Sequence, residues 1–186
     1  MDGKPFNSAS VARLLGIARP TVMSYLRSLE EGGFAFRVPL LGGHGRPLLI
    51  TRDGKSRVMS VMEPVRALFP GAGLHWWRTA RRRRVQLVAD TPRGRIGFCV
   101  CTRLVPRRRD WLPLSLALNA GVIDRAFLLH SDTAAYIKNR RILCLPLAEF
   151  LREPEQWILR RLSLPQARET LRRINRGRLA PAAAPR

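Results

Sequence analysis

Ser8–Glu31, SASVARLLGIARPTVMSYLRSLEE, reads as a helix, a tight turn and a second helix. Val11, Leu14 and Leu15 give the first helix an apolar stripe at three-to-four-residue spacing, with Ser8 and Ser10 as candidate N-caps. Gly16 permits the turn, and Pro20 falls in the first turn of the second helix, where its missing N–H has no partner to lose. Val22, Tyr25 or Leu26, and Leu29 form the side predicted to be buried. Arg19, Thr21, Ser24, Arg27 and Ser28 are left for the other side. A basic, hydroxyl-bearing helix face is what contacts to phosphates and base edges in a DNA groove require. A helical hairpin that only packs carries the same pattern, so the segment by itself leaves both readings open.

The sequence just downstream extends the motif. Gly32-Gly33 stops the second helix, Phe34–Pro39 reads as a short strand and Pro47–Thr51 as its partner. Between them LGGHGR, Leu41–Arg46, forms a glycine-rich basic loop. Two strands and such a loop after a helix-turn-helix make a wing, with His44 and Arg46 as candidate DNA contacts and His44 exposed rather than a metal ligand. Gly54-Lys55-Ser56 matches the end of a phosphate-binding loop, but Leu49 stands where the first glycine of that motif belongs. Without that glycine the nest of N–H groups cannot form, so an ATP site is rejected and Asp53-Gly54 reads as a turn. Ser56–Leu68 is predicted helical, interrupted near Pro64, and Pro70–Gly73 closes this first module.

Charge points the same way as the helix-turn-helix but lies largely elsewhere. The chain of 186 residues carries 34 Lys and Arg against 13 Asp and Glu, a formal net charge of +21, with only three Lys. Such an excess favours a polyanionic partner, nucleic acid or an anionic membrane surface. Residues 1–55 carry +4, residues 56–110 carry +10 and residues 111–186 carry +7. The densest runs are Arg78–Arg84 (RTARRRR) and Arg103–Arg109 (RLVPRRR). An Arg-rich composition inflates the total without explaining the clustering.

Other features narrow the class. An apolar fraction of 46% suffices for a real core. No apolar run has the length of a membrane span, and the polar start MDGKPFNSAS is not a signal peptide, so a cytoplasmic protein is expected. Three Cys make no disulfide framework; Cys99 and Cys101 should share one face of a strand, and with only Cys144 besides, a zinc site lacks ligands. Buried thiols are the reading.

From Leu74 the pattern changes to strands. Leu74–Thr79, Arg84–Asp90 and Arg95–Arg103 read as three consecutive strands, with turns at Arg81–Arg83 and Thr91–Gly94. Asp110–Ala120 reads as a helix, Ala126–His130 and Ile142–Pro146 as buried strands, and Leu147–Leu151 as the start of a helix. This order implies an α/β sandwich with a mixed sheet, an α+β or α/β chain overall. Glu155–Ile174 offers two amphipathic helices split at Pro165, before a tail predicted to be disordered.

Three phrases in this order, LLGIARPTVMSYLRSLEE (Leu14–Glu31), HWWRT (His75–Thr79) and LPLAEFL (Leu145–Leu151), resemble the C-terminal half of a prokaryotic ATPase family. Those proteins join an AAA-type ATPase to a winged helix and a restriction-endonuclease-like, PD-(D/E)xK domain of unknown function. The resemblance covers roughly Ser8 to Leu151 and lacks the ATPase domain. It implies a winged helix over residues 1–70 and a small nuclease-like α/β domain with a mixed sheet over 71–152; the residues beyond read as C-terminal helices over 153–176 and a tail over 177–186. The family's strand after the WRT strand carries an acidic residue and the next carries Glu-x-Lys, a set that holds a divalent cation and positions water. Here Gln86 stands at the first acidic position, and Val100 and Thr102 fall near the Glu and Lys positions. In their place the preceding turn gains Arg81, Arg82, Arg83 and Arg84, which suit bidentate phosphate binding. Of the adjacent Trp76 and Trp77, one is expected in the core and the other at an interface.

The expected function is therefore a non-catalytic, DNA-binding, inactive nuclease-like protein with double-stranded DNA as partner, no metal, no cofactor and no membrane. The alternatives are a metal-dependent nuclease with acids relocated to Glu63, Asp90 or Asp110, an interaction module docking on a separate ATPase subunit, and a remnant of a longer ATPase. Nothing in the pattern fixes an oligomeric symmetry.

Overall fold

Alternating and continuous apolar runs between Leu74 and Leu145 build the main sheet, with one helix between them and others before and after. The computed structural model describes residues 6–42, 47–51, 57–79, 83–132, 134–138, 141–159, 168–169, 171–172 and 175. Two compact units divide between Arg95 and Ile96. The fold class is α+β. N-terminal helices and a two-stranded sheet precede a six-stranded mixed sheet of order β3-β4-β5-β6-β8-β7.

In the first unit, α1 (Ser8–Leu15) and α2 (Arg19–Glu31) are followed by β1 (Ala35–Val38), β2 (Leu48–Thr51) and α3 (Arg57–Leu68). β1 and β2 pair antiparallel from Ala35↔Thr51 to Val38↔Leu48, as the wing reading expected. α3 runs unbroken through Pro64, because Val58, Val61, Met62 and Val65 bury one continuous stripe. β3 (Gly73–Arg78) and β4 (Arg84–Thr91) pair antiparallel. The end of β1 is stitched to β3, since Trp76 N–H donates to the Pro39 carbonyl at 2.9 Å and Leu41 N–H to the Trp76 carbonyl at 2.8 Å.

The second unit takes up most of β5 (Gly94–Val100), then α4 (Arg108–Asn119), β6 (Arg125–His130), β7 (Tyr136–Lys138), β8 (Ile142–Pro146), α5 (Leu147–Arg152) and α6 (Pro154–Leu159). β5, β6 and β8 are parallel neighbours, and β7 joins the edge antiparallel to β8. A Cβ on Gly97 would meet Leu114 and Ile123, which places α4 on the face of β5 that Gly97 and Cys99 share. The opposite face stacks Phe98 on Phe127 with ring centroids 5.3 Å apart, and Phe150 of α5 closes edge-on at 5.8 Å from Phe98. This is a helix–sheet–helix sandwich. Arg125 caps α6 by donating to the carbonyls of Ile158 and Trp157, at 2.5 and 2.6 Å. All three thiols are free and buried.

Several features differ from the sequence reading or fall outside the described residues. β7 went unanticipated, because three residues carry too short a pattern. The expected strand to Arg103 ends at Val100. α4 starts two residues before Asp110, at Arg108. The Asp53-Gly54 turn, the helix split at Pro165 and the tail over 177–186 lie outside the described residues. Among the described residues no helix is long and apolar enough to cross a membrane.

Candidate nucleic-acid interface

The two N-terminal helices are set by three caps. Asn7, with extended backbone, is the N-cap of α1: its side-chain oxygen accepts from the N–H groups of Ala9 and Ser10. This corrects the Ser8 and Ser10 assignment. Ser8 lies inside the helix, buried, and its hydroxyl accepts from Arg19 Nε at 3.0 Å. Gly16 closes α1 in the left-handed region at φ 65°. α2 ends in a Schellman motif: Gly33, at φ 70°, donates to the Glu30 carbonyl, and Phe34 N–H reaches back to the Leu29 carbonyl at 2.8 Å.

Packing of the two helices differs from the expected stripes. α1 buries Ser8 and Ala12, and α2 buries Val22 and Leu26, so the close approach uses small residues and a narrow seam. Leu14, Leu15, Tyr25 and Leu29, expected inside, are exposed. Helical periodicity marks an apolar side without saying which of its residues the rest of the chain covers.

Thr21, Ser24, Arg27 and Ser28 are exposed on α2, away from the Val22–Leu26 seam. Ser28 Oγ donates to the Ser24 carbonyl at 3.3 Å. Arg19 sits differently from the sequence reading. Its bond to Ser8 ties it to α1, and helix geometry turns it about 80° from Arg27. Arg37 of β1 is held by both oxygens of Glu30, which ties α2 to the β1–β2 sheet. His44 and Arg46 lie outside the described residues.

The arginine run occupies the β3–β4 connection. Thr79 N–H donates to the Arg83 carbonyl at 2.7 Å, and Arg83 N–H to Thr79 Oγ1 at 3.2 Å, so Arg83 is held at the turn with its side chain exposed. Arg78 and Arg84 stand opposite one another in register across the two strands. Arg78 also lies over the ring of Trp76 at 5.7 Å. Trp76 is core, 2% exposed, whereas Trp77 is half-buried. Arg81 and Arg82 lie outside the described residues.

The positions matched to a nuclease site hold no acid. Gln86 is half-buried in β4, Val100 ends β5 and Thr102 is exposed beyond it. Asp90 pairs with Arg95 at 3.7 Å, Asp110 accepts from Arg107 N–H at the start of α4, and Glu63 is exposed on α3. Among the described residues no three His, Cys, Asp or Glu side chains form a group able to hold a metal ion.

One polar group escaped sequence reading. His130, at the end of β6, is wholly buried, and neither ring nitrogen has a hydrogen-bond partner among the described residues. Burial pushes its pKa below the ordinary histidine value, with Asp132 pulling weakly the other way. It stacks on Tyr136 at 5.7 Å. Burial likewise pushes the neighbouring Cys144 thiol up to about 12. A histidine at the end of a buried strand gives no sequence signal of its own.

Comparison of the chain with protein-family models, curated proteins and solved structures finds no match.

Proposed function

We propose that this chain is a non-catalytic DNA-binding protein, a winged helix joined to a restriction-endonuclease-like domain that has lost its acids. The observation that carries the reading is the outer side of α2. There Thr21, Ser24, Arg27 and Ser28 are exposed, while Val22 and Leu26 commit another side of the helix to packing. An exposed helix of 13 residues bearing a cation and hydroxyls fits a major groove. Arg78, Arg83 and Arg84 add a cationic edge on strands tied to the wing through Pro39, Leu41 and Trp76. The order helix, three strands, helix, strand from α3 to β6 supports the nuclease-like reading of the sheet. Gln86, Val100 and Thr102 supply no carboxylate to anchor Mg²⁺, which favours binding over cleavage.

The test is fluorescence anisotropy of a labelled duplex at low salt with two variants. Arg27→Ala should weaken binding and relax any sequence preference. Arg83→Ala/Arg84→Ala should weaken it about equally across sequences. If Arg27→Ala changed nothing while the second variant abolished binding, the helix-turn-helix would be a packing module and the proposal in this form would fail.

A further inference from the structure

Between β5 and α4, the segment Arg103–Arg109 (RLVPRRR) combines two features that folding does not reward. Leu104 and Val105, consecutive in the chain, stand in water at 67% and 75% exposure. Arg107, Arg108 and Arg109, all exposed, occupy the N-cap and the first two positions of α4. A helix carries partial positive charge at that end, so three cations there have the wrong sign. Asp110, at the third position, offsets part of the mismatch, accepting from Arg107 N–H at 2.7 Å and lying 4.0 Å from Arg109. Arg103 is half-buried, and its Nη1 is out of water with no acceptor among the described residues. The seven residues therefore carry +4 and no acid. The loop is rooted at both ends. Cys101 N–H donates to the Leu129 carbonyl at 2.7 Å and Arg103 N–H to Cys101 Sγ at 3.4 Å, while Asp110 holds Arg107. Pro106 fixes its own φ between them. Local rules broken without a packing gain mark a site rather than a scaffold.

We propose that Leu104–Val105 is a wedge that enters the minor groove of duplex DNA and partly unstacks one base step, while Arg103, Arg107 and Arg108 hold the flanking phosphates. This rests on the DNA-binding reading and gives the second unit a contact of its own. Charge complementarity restricts the partner to a polyanion, and the exposed aliphatic pair requires one with an apolar interior. A base stack and an anionic bilayer both qualify, and the segment's chemistry favours the stack. It holds no Trp or Tyr, the side chains that anchor proteins at a bilayer interface. One leucine and one valine are the size of a single base step, whereas a bilayer anchor relies on more buried area. All four cations are Arg, which binds phosphate bidentately and suits a narrow minor groove. A short loop rooted at both ends also has little left to order when it inserts.

A wedge binds best where the stack is already broken, because the cost of unstacking has been met in advance. The test is therefore anisotropy of the full chain on two labelled 20-base-pair duplexes, one intact and one with two unpaired thymines at its centre. The wild type should bind the bulged duplex about tenfold or more tighter at equal salt. Leu104→Ala/Val105→Ala should bring that ratio close to one with the salt slope unchanged. Both residues are exposed, so its urea melt should match the wild type. Arg107→Gln/Arg108→Gln should weaken both duplexes by the same factor and make the salt slope shallower by up to about 2. Its melting temperature should hold or rise, because the removed charges oppose the helix dipole. Equal, salt-dependent binding of both duplexes by the wild type would overturn the wedge and leave the DNA-binding reading intact. A preference that survives Leu104→Ala/Val105→Ala would do the same. Sedimentation with phosphatidylserine vesicles that needs Leu104 and Val105, with no preference for the bulge, would assign the loop to a membrane surface and overturn the wedge. Binding to neither duplex would remove both proposals.

Discussion

Replacing Gly97 with alanine should destabilise the second unit measurably, and the geometry says how. The added Cβ would lie 2.5 Å from Ile123 Cδ1 and 3.3 Å from both Ile123 Cγ2 and Leu114 Cδ2. Carbon atoms rest at about 3.5–4.0 Å, so the Ile123 terminus must move by about 1 Å or more. Leu114 and Ile123 are 0% and 2% exposed, so Ile123 has to leave its rotamer or α4 has to lift from β5. Overpacking of this kind costs about 1–3 kcal/mol. With a urea m-value of about 1–3 kcal/mol/M, the midpoint should fall by roughly 1 M. Ile123→Val deletes the offending methyl group at a cost of about 0.5–1.5 kcal/mol by itself. Combined with Gly97→Ala it should recover stability, giving a coupling of about 1 kcal/mol in a double-mutant cycle. Urea melts followed by circular dichroism measure all four proteins. A neutral Gly97→Ala, or strict additivity in the cycle, would refute the close approach of α4 to β5.

Other perturbations have defined outcomes. Asn7→Ala removes the cap of α1 and should cost about 0.5–2 kcal/mol in thermal or chemical melts, whereas Ser10→Ala should cost less, because the Asn7 side chain makes the capping bonds. Arg125→Met loses two charge-assisted bonds to α6 and should cost about 1.5–3 kcal/mol, read as faster hydrogen exchange in that helix. His130 has its pKa lowered in the folded state, so the unfolded chain takes up a proton first as pH falls. Stability should be full above about pH 6.5, decline as pH drops toward the lowered folded value and flatten below it. His130→Phe should abolish that part of the pH slope, and an unchanged slope would contradict the buried neutral imidazole. The three thiols should react with a thiol reagent only after unfolding.

Elements with a long period were legible in the sequence. Ile142–Pro146 forms a strand at its expected bounds, and β3, β4 and β6 begin within a residue of theirs, because β-branched and aromatic runs between turn residues admit little else. Burial was less legible. Tyr25 and Leu26 competed for one side of α2, and only packing decided that Leu26 goes in. Leu14 and Leu15 follow helix periodicity yet are exposed, since Ser8 and Ala12 let α1 approach α2 by another side. Caps fared unevenly for a similar reason. Gly33 announces itself through a left-handed conformation that glycine tolerates at no cost, while the sequence reading chose Ser8 and Ser10 as caps and backbone geometry chose Asn7. In the candidate interface, the hydroxyls and Arg27 could be placed from helix phase. Arg19 could not, because its partner Ser8 lies eleven residues away.

The central claim, that this chain holds duplex DNA through its phosphates, is tested most directly by the salt dependence of duplex affinity. Each neutralised phosphate contributes about −0.9 to the slope of log K against log salt. A steep negative slope is predicted, with Arg83→Ala/Arg84→Ala making it shallower by up to about 2 and Arg27→Ala by up to about 1. Absence of binding at low salt, or an affinity indifferent to salt, would contradict the account.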